Sequence, residues 1–145
     1  MKLFLASDHA GAALRAQIIE HLRQSGREVV DLGPEAGQSV DYPDYALKVS
    51  REVAAHKDAL GILVCGTGIG MSMTANRVTG IRAAACTHEY MARMARAHND
   101  ANVLCLGERV IGTGVALGIV DTFLATEFEG GRHSRRVSLI DAAKG

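Results

Sequence analysis

Aromatic residues are scarce in this 145-residue chain, at 4% of the sequence, and tryptophan is absent. Proteins that bind single-stranded nucleic acid stack the bases on aromatic side chains, so this composition argues against such a platform. The charge is balanced as well, with 16 Lys and Arg residues against 16 Asp and Glu residues. A chain without net charge has no general attraction for nucleic acid or for an anionic membrane surface. We therefore expect neither partner.

Long apolar runs are also missing. A membrane-spanning helix needs about 20 predominantly apolar residues, and the apolar run after Lys2 is too short for the core of a signal peptide. Three cysteines, Cys65, Cys86 and Cys105, are an odd number without C-x-x-C spacing. They fit reduced thiols better than a disulfide framework or a zinc site. These features predict a cytoplasmic protein with free thiols.

Strand and helix patterns alternate along the whole chain. Short apolar runs predict five strands over residues 3–6, 29–32, 62–65, 81–86 and 103–106. Helical periodicity predicts five helices. The first contains Leu14, Ile18 and Leu22 and ends at Gly26, and the second starts after Pro43 and contains Tyr45, Val49 and Val53. The third covers 71–76, the fourth covers 89–97 with Tyr90, Met91 and Met94 on its apolar side, and the fifth is lined by Val115, Ile119 and Phe123.

This alternation predicts a doubly wound parallel sheet between two helical layers, a Rossmann-like three-layer α/β/α fold of about five strands. The length and the 48% hydrophobic content suit a single domain over residues 1–145. Gly130 and Gly131 form the one flexible joint in the pattern. Beyond them, an Arg-rich tail that runs to Gly145 is predicted to be a short helix.

The stretch 61–76, GILVCGTGIGMSMTAN, is the most distinctive of the sequence. An apolar run typical of a buried strand ends at Cys65, and Gly66, Gly68 and Gly70 follow before a predicted helix. Closely spaced glycines let backbone amides converge, so the stretch predicts an anion site with a thiol at its mouth. It matches neither the dinucleotide-binding pattern nor the P-loop. Taken alone, it is equally compatible with a tight turn beside a buried cysteine.

Polar residues follow the predicted strands, at the edge where parallel sheets bind their ligands. They include Asp8 and His9 after the first strand, Thr67 after the third, Thr87 and His88 after the fourth, and Glu108 and Arg109 after the fifth. In addition, the fourth helix ends in His98, Asn99 and Asp100, and the tail carries Arg132 and Arg136 four residues apart. Each has a plain structural explanation as a helix cap, a core histidine or a solvated charge. Their joint occurrence favours a site for an anionic substrate, with the arginines binding phosphate.

Six blocks, in order, resemble the ribose/galactose isomerase family and within it the B-type ribose-5-phosphate isomerases. The blocks are SDHAG at 7–11, DYP at 41–43, CGTGIG at 65–70, GIRA at 80–83, HNDAN at 98–102 and EGGRH at 129–133 with Arg136 and Val137 beyond it. Some family members replace the loop cysteine and use a glutamate at the position of Ala75. This chain keeps Cys65 and lacks that glutamate, so it resembles the group that uses a cysteine base.

The resemblance implies an aldose–ketose isomerase that interconverts ribose 5-phosphate and ribulose 5-phosphate through an enediolate, in the pentose phosphate pathway. It implies Cys65 as the base and His98 as the proton donor in ring opening, with Asp8 and Thr67 nearby. It further implies substrate contacts from Asp8, His9, Tyr42, Gly66, Thr67, Gly68, Ile69, Gly70, Asn99, Arg109, Arg132 and Arg136. The loop amides would donate to the enediolate oxygen, and His9 and the arginines would bind the phosphate. No metal or cofactor is implied, and no residue cluster in the sequence has metal-ligand spacing.

The resemblance also implies a homodimer, sometimes paired into a tetramer, with the site between subunits and the tail at the interface. We expect Cys65 of one chain to work with His98 of the other. Two alternatives stay open. In the first, the chain is an isomerase of a six-carbon sugar phosphate, such as allose 6-phosphate or galactose 6-phosphate. In the second, it is a non-catalytic module that binds a sugar phosphate or a nucleotide. Galactose-6-phosphate isomerase subunits act as a hetero-pair, so activity of this chain alone would count against that version.

Overall fold

A computed structural model describes residues 1–143 of the chain. Within them lie five strands: β1 Lys2–Ser7, β2 Glu28–Asp31, β3 Leu60–Cys65, β4 Ala83–Ala85 and β5 Val103–Gly107. The same residues form six α-helices: α1 Ala12–Gln24, α2 Tyr42–Ala55, α3 Ile69–Ala75, α4 Glu89–Ala97, α5 Thr113–Ala125 and α6 Arg132–Ala142. A 3₁₀ turn over His9–Gly11 precedes α1.

The strands pair in the order β2-β1-β3-β5-β4, and every pairing is parallel. Successive side chains of a strand point to opposite faces. On β3, Ile62 and Val64 therefore enter the core beneath α1, α4 and α5, whereas Leu63 and Cys65 enter the core beneath α2 and α3. Helices cover both faces of the sheet, so the predicted three-layer α/β/α fold is confirmed.

The helix α2 begins at Tyr42, so Pro43 lies in its first turn and not before it as expected. The boundaries of β4 and α3 differ from the sequence-based expectation as well. The fourth strand, the outermost of the sheet, is limited to Ala83–Ala85, because the Arg82 amide donates to Oδ1 of Asn102 instead of to the neighbouring strand. The third helix starts at Ile69, directly after Gly68, whose φ of +81° is a left-handed conformation that glycine adopts easily. Both shifts arise from local backbone contacts that hydrophobic periodicity does not encode.

The predicted apolar side of α4 is wrong. Tyr90 is 63% exposed and Met91 is 38% exposed, while Ala92, Ala95 and Ala97 are buried. Alanines on the inner face let α4 lie close to α5 and the sheet, and the larger side chains are then left on the outside. The large apolar residues therefore misled the assignment of the buried face.

On α5 the buried face is rotated slightly from the predicted one. Val115 is 49% exposed, and its neighbour Ala116 lies in the core with Ile119 and Phe123. A small residue, Ala116, again lies where the helix packs against the core.

The helix α6 begins after Gly130 and Gly131, which both have positive φ. Near its end, Asp141 accepts two hydrogen bonds from Nη1 of Arg82, at 2.9 and 3.1 Å, which tether the helix beside the start of β4. The predicted tail extends to residue 145, but residues 144 and 145 lie outside the described part of the chain. Among the described helices, none is long and apolar enough to cross a membrane.

Candidate active site

The expected site residues divide between two opposite edges of the sheet. In a parallel sheet all strands end at one edge, here called the carboxyl edge, and the helices return the chain to the other, the amino edge. The loops after β1, β3 and β5 and the start of α2 bring one set to the carboxyl edge: Asp8, His9, Tyr42, Cys65, Gly66, Thr67, Gly68, Ile69, Gly70 and Arg109. The end of α4 and the start of α6 hold the other set at the amino edge: His98, Asn99, Arg132 and Arg136.

The glycine loop folds tightly around the thiol of Cys65. The amide of Gly68 donates to Cys65 Sγ at 3.1 Å, and the thiol is buried at 5% exposure. A Cβ atom on Gly107 would lie 2.6 Å from the Thr67 backbone, and one on Gly68 would lie 3.0 Å from that of Leu106. The loop can therefore pack against the end of β5 only because these positions lack side chains.

Asp8 locks the first loop against the central strand. Its Oδ1 accepts hydrogen bonds from the amides of Ala10, at 2.9 Å, and Gly11, at 3.1 Å, so Asp8 caps the 3₁₀ turn that precedes α1 and not α1 itself. The Asp8 amide donates to the carbonyl of Val64 at 3.2 Å, one residue before Cys65. Its Oδ2 makes no hydrogen bond within residues 1–143, which leaves it available to a ligand.

Three further predicted residues lie at the carboxyl edge. The ring of Tyr42 lies over Gly70, where a Cβ would come within 2.5 Å of the ring. On the other side, Nη1 of Arg109 lies 3.4 Å from the position of a Cβ on Gly66. His9 accepts a hydrogen bond at Nδ1 from the Val40 amide at 3.3 Å, so its Nε2 is the nitrogen left for a ligand. A cation and an aromatic ring thus lie against the glycine loop, and His9 lies at the same edge of the sheet.

Sequence reasoning missed Arg15, which fixes the position of the first loop. Its side chain is 8% exposed; Nη1 donates to Ser7 Oγ at 2.7 Å and Nη2 donates to the Pro34 carbonyl at 2.5 Å. Nε lies 3.4 Å from Asp31 at the end of β2. The guanidinium therefore joins β1, β2 and the loop after β2. A lone arginine in an amphipathic helix gives no signal of this role.

Glu108 is a second residue without a predicted role. Its Oε1 accepts from the Leu14 amide at 2.6 Å, at the first turn of α1, where the N-cap residue Gly11 supplies no side chain. The carboxylate thereby connects the end of β5 to the helix that follows β1. Its place at a strand end was visible in the sequence, whereas its long-range partner was not.

The amino edge holds a second group of polar side chains. The rings of His98 and His133 stack with centroids 4.1 Å apart and planes 12° apart. Oε1 of Glu129 lies 3.7 Å from His98 Nε2 and 3.6 Å from His133 Nε2. Desolvation, with smaller contributions from His98 and the Arg132 charge, lowers the pKa of His133. The sequence shows no metal-ligand spacing here, because Glu129 and His133 join His98 only through the turn at 130–131; that the site needs no metal stays a prediction.

The remaining predicted residues of the amino edge are exposed: Asn99, Arg132 and Arg136. The two arginines lie four residues apart in α6 and so share one face, whereas His133 and Val137 on a neighbouring face are buried. Neither arginine forms an ion pair within residues 1–143. Both guanidinium groups are thus available to an anion or to another chain.

Cys65 and His98 do not meet within one chain. Cys65 pairs with Gly107 at the end of β5, and His98 precedes the first residue of that strand, Val103. Five residues of strand span about 13 Å. The thiol and the imidazole are therefore held at opposite edges of the same sheet.

Residues 3–140 match the model of a family described as Ribose/Galactose Isomerase. This chain belongs to the ribose/galactose isomerase family. Ribose-5-phosphate isomerase B of Escherichia coli K12 is 45% identical to it over 141 residues, which cover 97% of this chain and 95% of that protein. The structure of ribose-5-phosphate isomerase B from Clostridium thermocellum has a TM-score of 0.95 at 54% identity, with 97% of this chain and 95% of that chain covered. The Mycoplasma genitalium enzyme with bound ribulose 5-phosphate has a TM-score of 0.93 at 47% identity, with coverage of 97% and 93%.

Membership of the ribose/galactose isomerase family, which the six sequence blocks predicted, is therefore confirmed. The parallel α/β fold of this family member is confirmed as well. The roles of individual residues, the single domain over 1–145 and the place of the tail at a subunit interface stay predictions.

Proposed function

We propose that this protein is an aldose–ketose isomerase that interconverts ribose 5-phosphate and ribulose 5-phosphate. The observation that carries the proposal is the buried Cys65 thiol at the carboxyl end of the central strand, which accepts a hydrogen bond from the Gly68 amide. Full-length relatives named ribose-5-phosphate isomerase B support the substrate, and a relative with bound ribulose 5-phosphate supports the product.

Cys65 is the proposed base. As a thiolate it removes the proton from C2 of the open-chain aldose, which leaves an enediolate, and the thiol then returns a proton to C1. The Gly68 amide stabilises the sulfur anion. The amides of Gly66, Thr67 and Gly70 have no acceptor within residues 1–143, so they are free to donate to the enediolate oxygen. A second proton passes from the oxygen on C2 to the oxygen on C1, so the aldose and the ketose are isomers and the reaction needs neither an oxidant nor a reductant.

Ring opening requires a proton donor near the ring oxygen, a role we assign to His98 of a second subunit. Because His98 and Cys65 of one chain lie at opposite edges of the sheet, one complete site needs the carboxyl edge of one subunit and the amino edge of its partner. A two-fold axis repeats that contact and completes two sites. Asp8, beside the loop, and Thr67, within it, would assist from the carboxyl edge.

Exposed apolar side chains support such a dimer. Ile69 and Met73 on α3 are 53% and 68% exposed, and Leu139 and Ile140 on α6 are 60% and 49% exposed. Large apolar side chains exposed on two helices offer a surface that a partner can cover. Pairs of dimers would form the tetramer.

Both subunits would then bind the phosphate. His9 and Arg109 lie beside the loop at the carboxyl edge, and the partner would add Arg132 and Arg136 from α6. Guanidinium groups match the planar, two-oxygen face of a phosphate. Tyr42 from one subunit and Asn99 from the other would bind sugar hydroxyls.

A six-carbon sugar phosphate is the second candidate substrate, because the matched family model covers galactose isomerases as well. The decisive experiment measures ketose formation by the purified chain from a panel of five- and six-carbon aldose phosphates. We expect the highest kcat/KM for ribose 5-phosphate. A higher value for allose 6-phosphate or galactose 6-phosphate would reassign the substrate, and ligand binding without turnover would indicate a non-catalytic module.

A further inference from the structure

Arg82, the residue before β4, donates hydrogen bonds to two separate segments of the amino edge. Its Nη1 donates to both carboxylate oxygens of Asp141 on α6, at 2.9 and 3.1 Å. Its Nε donates to the Asp100 carbonyl at 2.9 Å, and its Nη2 donates to the Asp100 carboxylate at 3.3 Å. The side chain is only 15% exposed. One guanidinium group therefore joins the start of β4 to α6 and to the turn between α4 and β5.

That turn has a backbone conformation that needs support. Asp100 has a φ of +47°, a left-handed conformation that is strained for residues other than glycine. Nη1 of Arg96 donates to Asp100 Oδ1 at 2.9 Å, so the carboxylate lies between the guanidinium groups of Arg96 and Arg82. These contacts hold the turn in place directly after His98 and Asn99.

The helix α6 has few other attachments to its own chain. Its buried residues are His133 and Val137. Within residues 1–143, Arg82 is the only partner outside α6 that forms a hydrogen bond with a side chain of this helix. The Arg82 contact therefore fixes the direction of α6, and with it the position of Arg132 and Arg136 on their shared face.

We propose that Arg82 is a positioning residue of the isomerase, which holds the amino-edge half of the site in place without touching the substrate. Through Asp100 it fixes the turn after His98, the proton donor in ring opening. Through Asp141 it fixes the helix that carries the phosphate-binding arginines. The effect on catalysis rests on the proposed function, whereas the tether itself rests on contacts within one chain.

The tether is tested without an activity measurement, by amide hydrogen exchange of Arg82→Lys. Lysine keeps the charge but replaces a planar fork of donors with one ammonium group, which cannot serve both carboxylates. Peptides from 98–102 and 132–142 should exchange at least about tenfold faster, because a charge-assisted hydrogen bond of each segment is lost. Peptides from α1 should be unchanged.

The matched control is Arg93→Lys, which alters an exposed arginine on α4. It should exchange like the unmodified protein. Unchanged exchange of both segments in Arg82→Lys would overturn the tether.

Steady-state kinetics should separate the two contacts of Arg82. Arg82→Lys disturbs both segments, so kcat should fall and KM for ribose 5-phosphate should rise, with a combined loss of about 10–100-fold in kcat/KM. Asp141→Asn removes only the contact to α6. Because Asp141 is 44% exposed, this variant should fold normally and raise KM by about two- to fivefold, with kcat nearly unchanged. Unaltered kinetics in both variants would overturn the positioning role, and unaltered KM in Asp141→Asn alone would do so if Arg82→Lys fails to fold.

Mixed dimers distinguish positioning from a general loss of structure. Arg82→Lys refolded with an equal amount of Cys65→Ala should reach about a quarter of the unmodified activity, because about half of the dimers are mixed and each holds one site with two intact halves. A defect that spread through the whole subunit would also disturb the Cys65 loop, and activity would not return. That result, beside recovery in a mixture of Cys65→Ala and His98→Asn, would overturn the positioning role and leave the proposed function standing. Accelerated exchange of both segments in a protein that isomerises no sugar phosphate would leave the tether standing and overturn the proposed function.

Discussion

Cys65 occupies a position where a small thiol side chain is accommodated and held. It is the last residue of the central strand, it is buried, and its Sγ accepts a hydrogen bond from the Gly68 amide. A serine has nearly the same shape, so substitution isolates the chemistry of the atom from the packing around it. The substitution therefore separates a catalytic thiol from a structural one.

Cys65→Ser should lose most turnover while folding normally. A serine hydroxyl is far too weakly acidic to act as the base in the same loop, and loss of a general base typically costs about 10²–10⁴-fold in rate. The measurement is kcat with saturating ribose 5-phosphate, beside a thermal unfolding curve. A fall below about threefold at full occupancy would remove Cys65 from the mechanism.

Iodoacetamide should inactivate the protein by alkylating Cys65, and substrate should protect. Burial raises the pKa of Cys86 to about 11 and also raises the pKa of Cys105, so neither thiol forms the reactive thiolate readily. Peptide mass mapping after partial inactivation identifies the modified thiol. Inactivation that follows modification of Cys86 instead would contradict this assignment.

Arg136→Ala should weaken substrates that carry a phosphate and scarcely affect free ribose. Its guanidinium is exposed on α6 beside Arg132, and loss of one charge-assisted contact costs about 1.5–3 kcal/mol. The comparison is kcat/KM for ribose 5-phosphate and ribose, with Arg135→Ala as the matched control on the next position of the helix. Equal losses for both sugars would mean that Arg136 has a structural role.

At the scale of elements, the carboxyl edge is joined by contacts between segments far apart in sequence. Glu108 caps α1 from the end of β5, and Arg15 joins β1, β2 and the loop after β2. Such contacts determine where the loops bearing Asp8 and His9 lie. They depend on the tertiary fold, so no local sequence pattern predicts them.

Glu108→Ala should destabilise the fold by about 0.5–2 kcal/mol, the usual cost of removing a helix N-terminal acceptor. The Leu14 amide would lose its partner, which Gly11 cannot replace. Urea unfolding gives the free energy of unfolding, and Glu127→Ala removes an exposed carboxylate as the control. The same stability in both variants would show that the cap contributes nothing.

Strands and helix order were predictable because short apolar runs and helical spacing encode them directly. The buried face of α4 was not, since alanines rather than Tyr90 and Met91 face the core. Hydrophobicity predicts which residues can be buried, whereas close helix packing selects small ones. The six motif blocks predicted the family, but the cluster around Glu129 required the turn at 130–131.

At the scale of the whole molecule, each chain carries two halves of the proposed site on opposite edges of one sheet. The thiol, the loop amides and Arg109 lie at the carboxyl edge, and His98 and the α6 arginines lie at the amino edge. A single chain cannot bring these halves together. The proposed two-fold dimer, which joins unlike edges, would complete two sites at once.

The central claim is that Cys65 of one subunit works with His98 of the other, and mixed dimers test it directly. Cys65→Ala and His98→Asn proteins, each inactive alone, are unfolded together and refolded in equal amounts, and native mass spectrometry verifies mixing. About half of the dimers should be mixed, each with one site carrying both defects and one carrying neither, so activity should return to about a quarter of the unmodified level. If both residues served the same site from one chain, every site would keep a defect, and a demonstrably mixed dimer without activity would contradict the account.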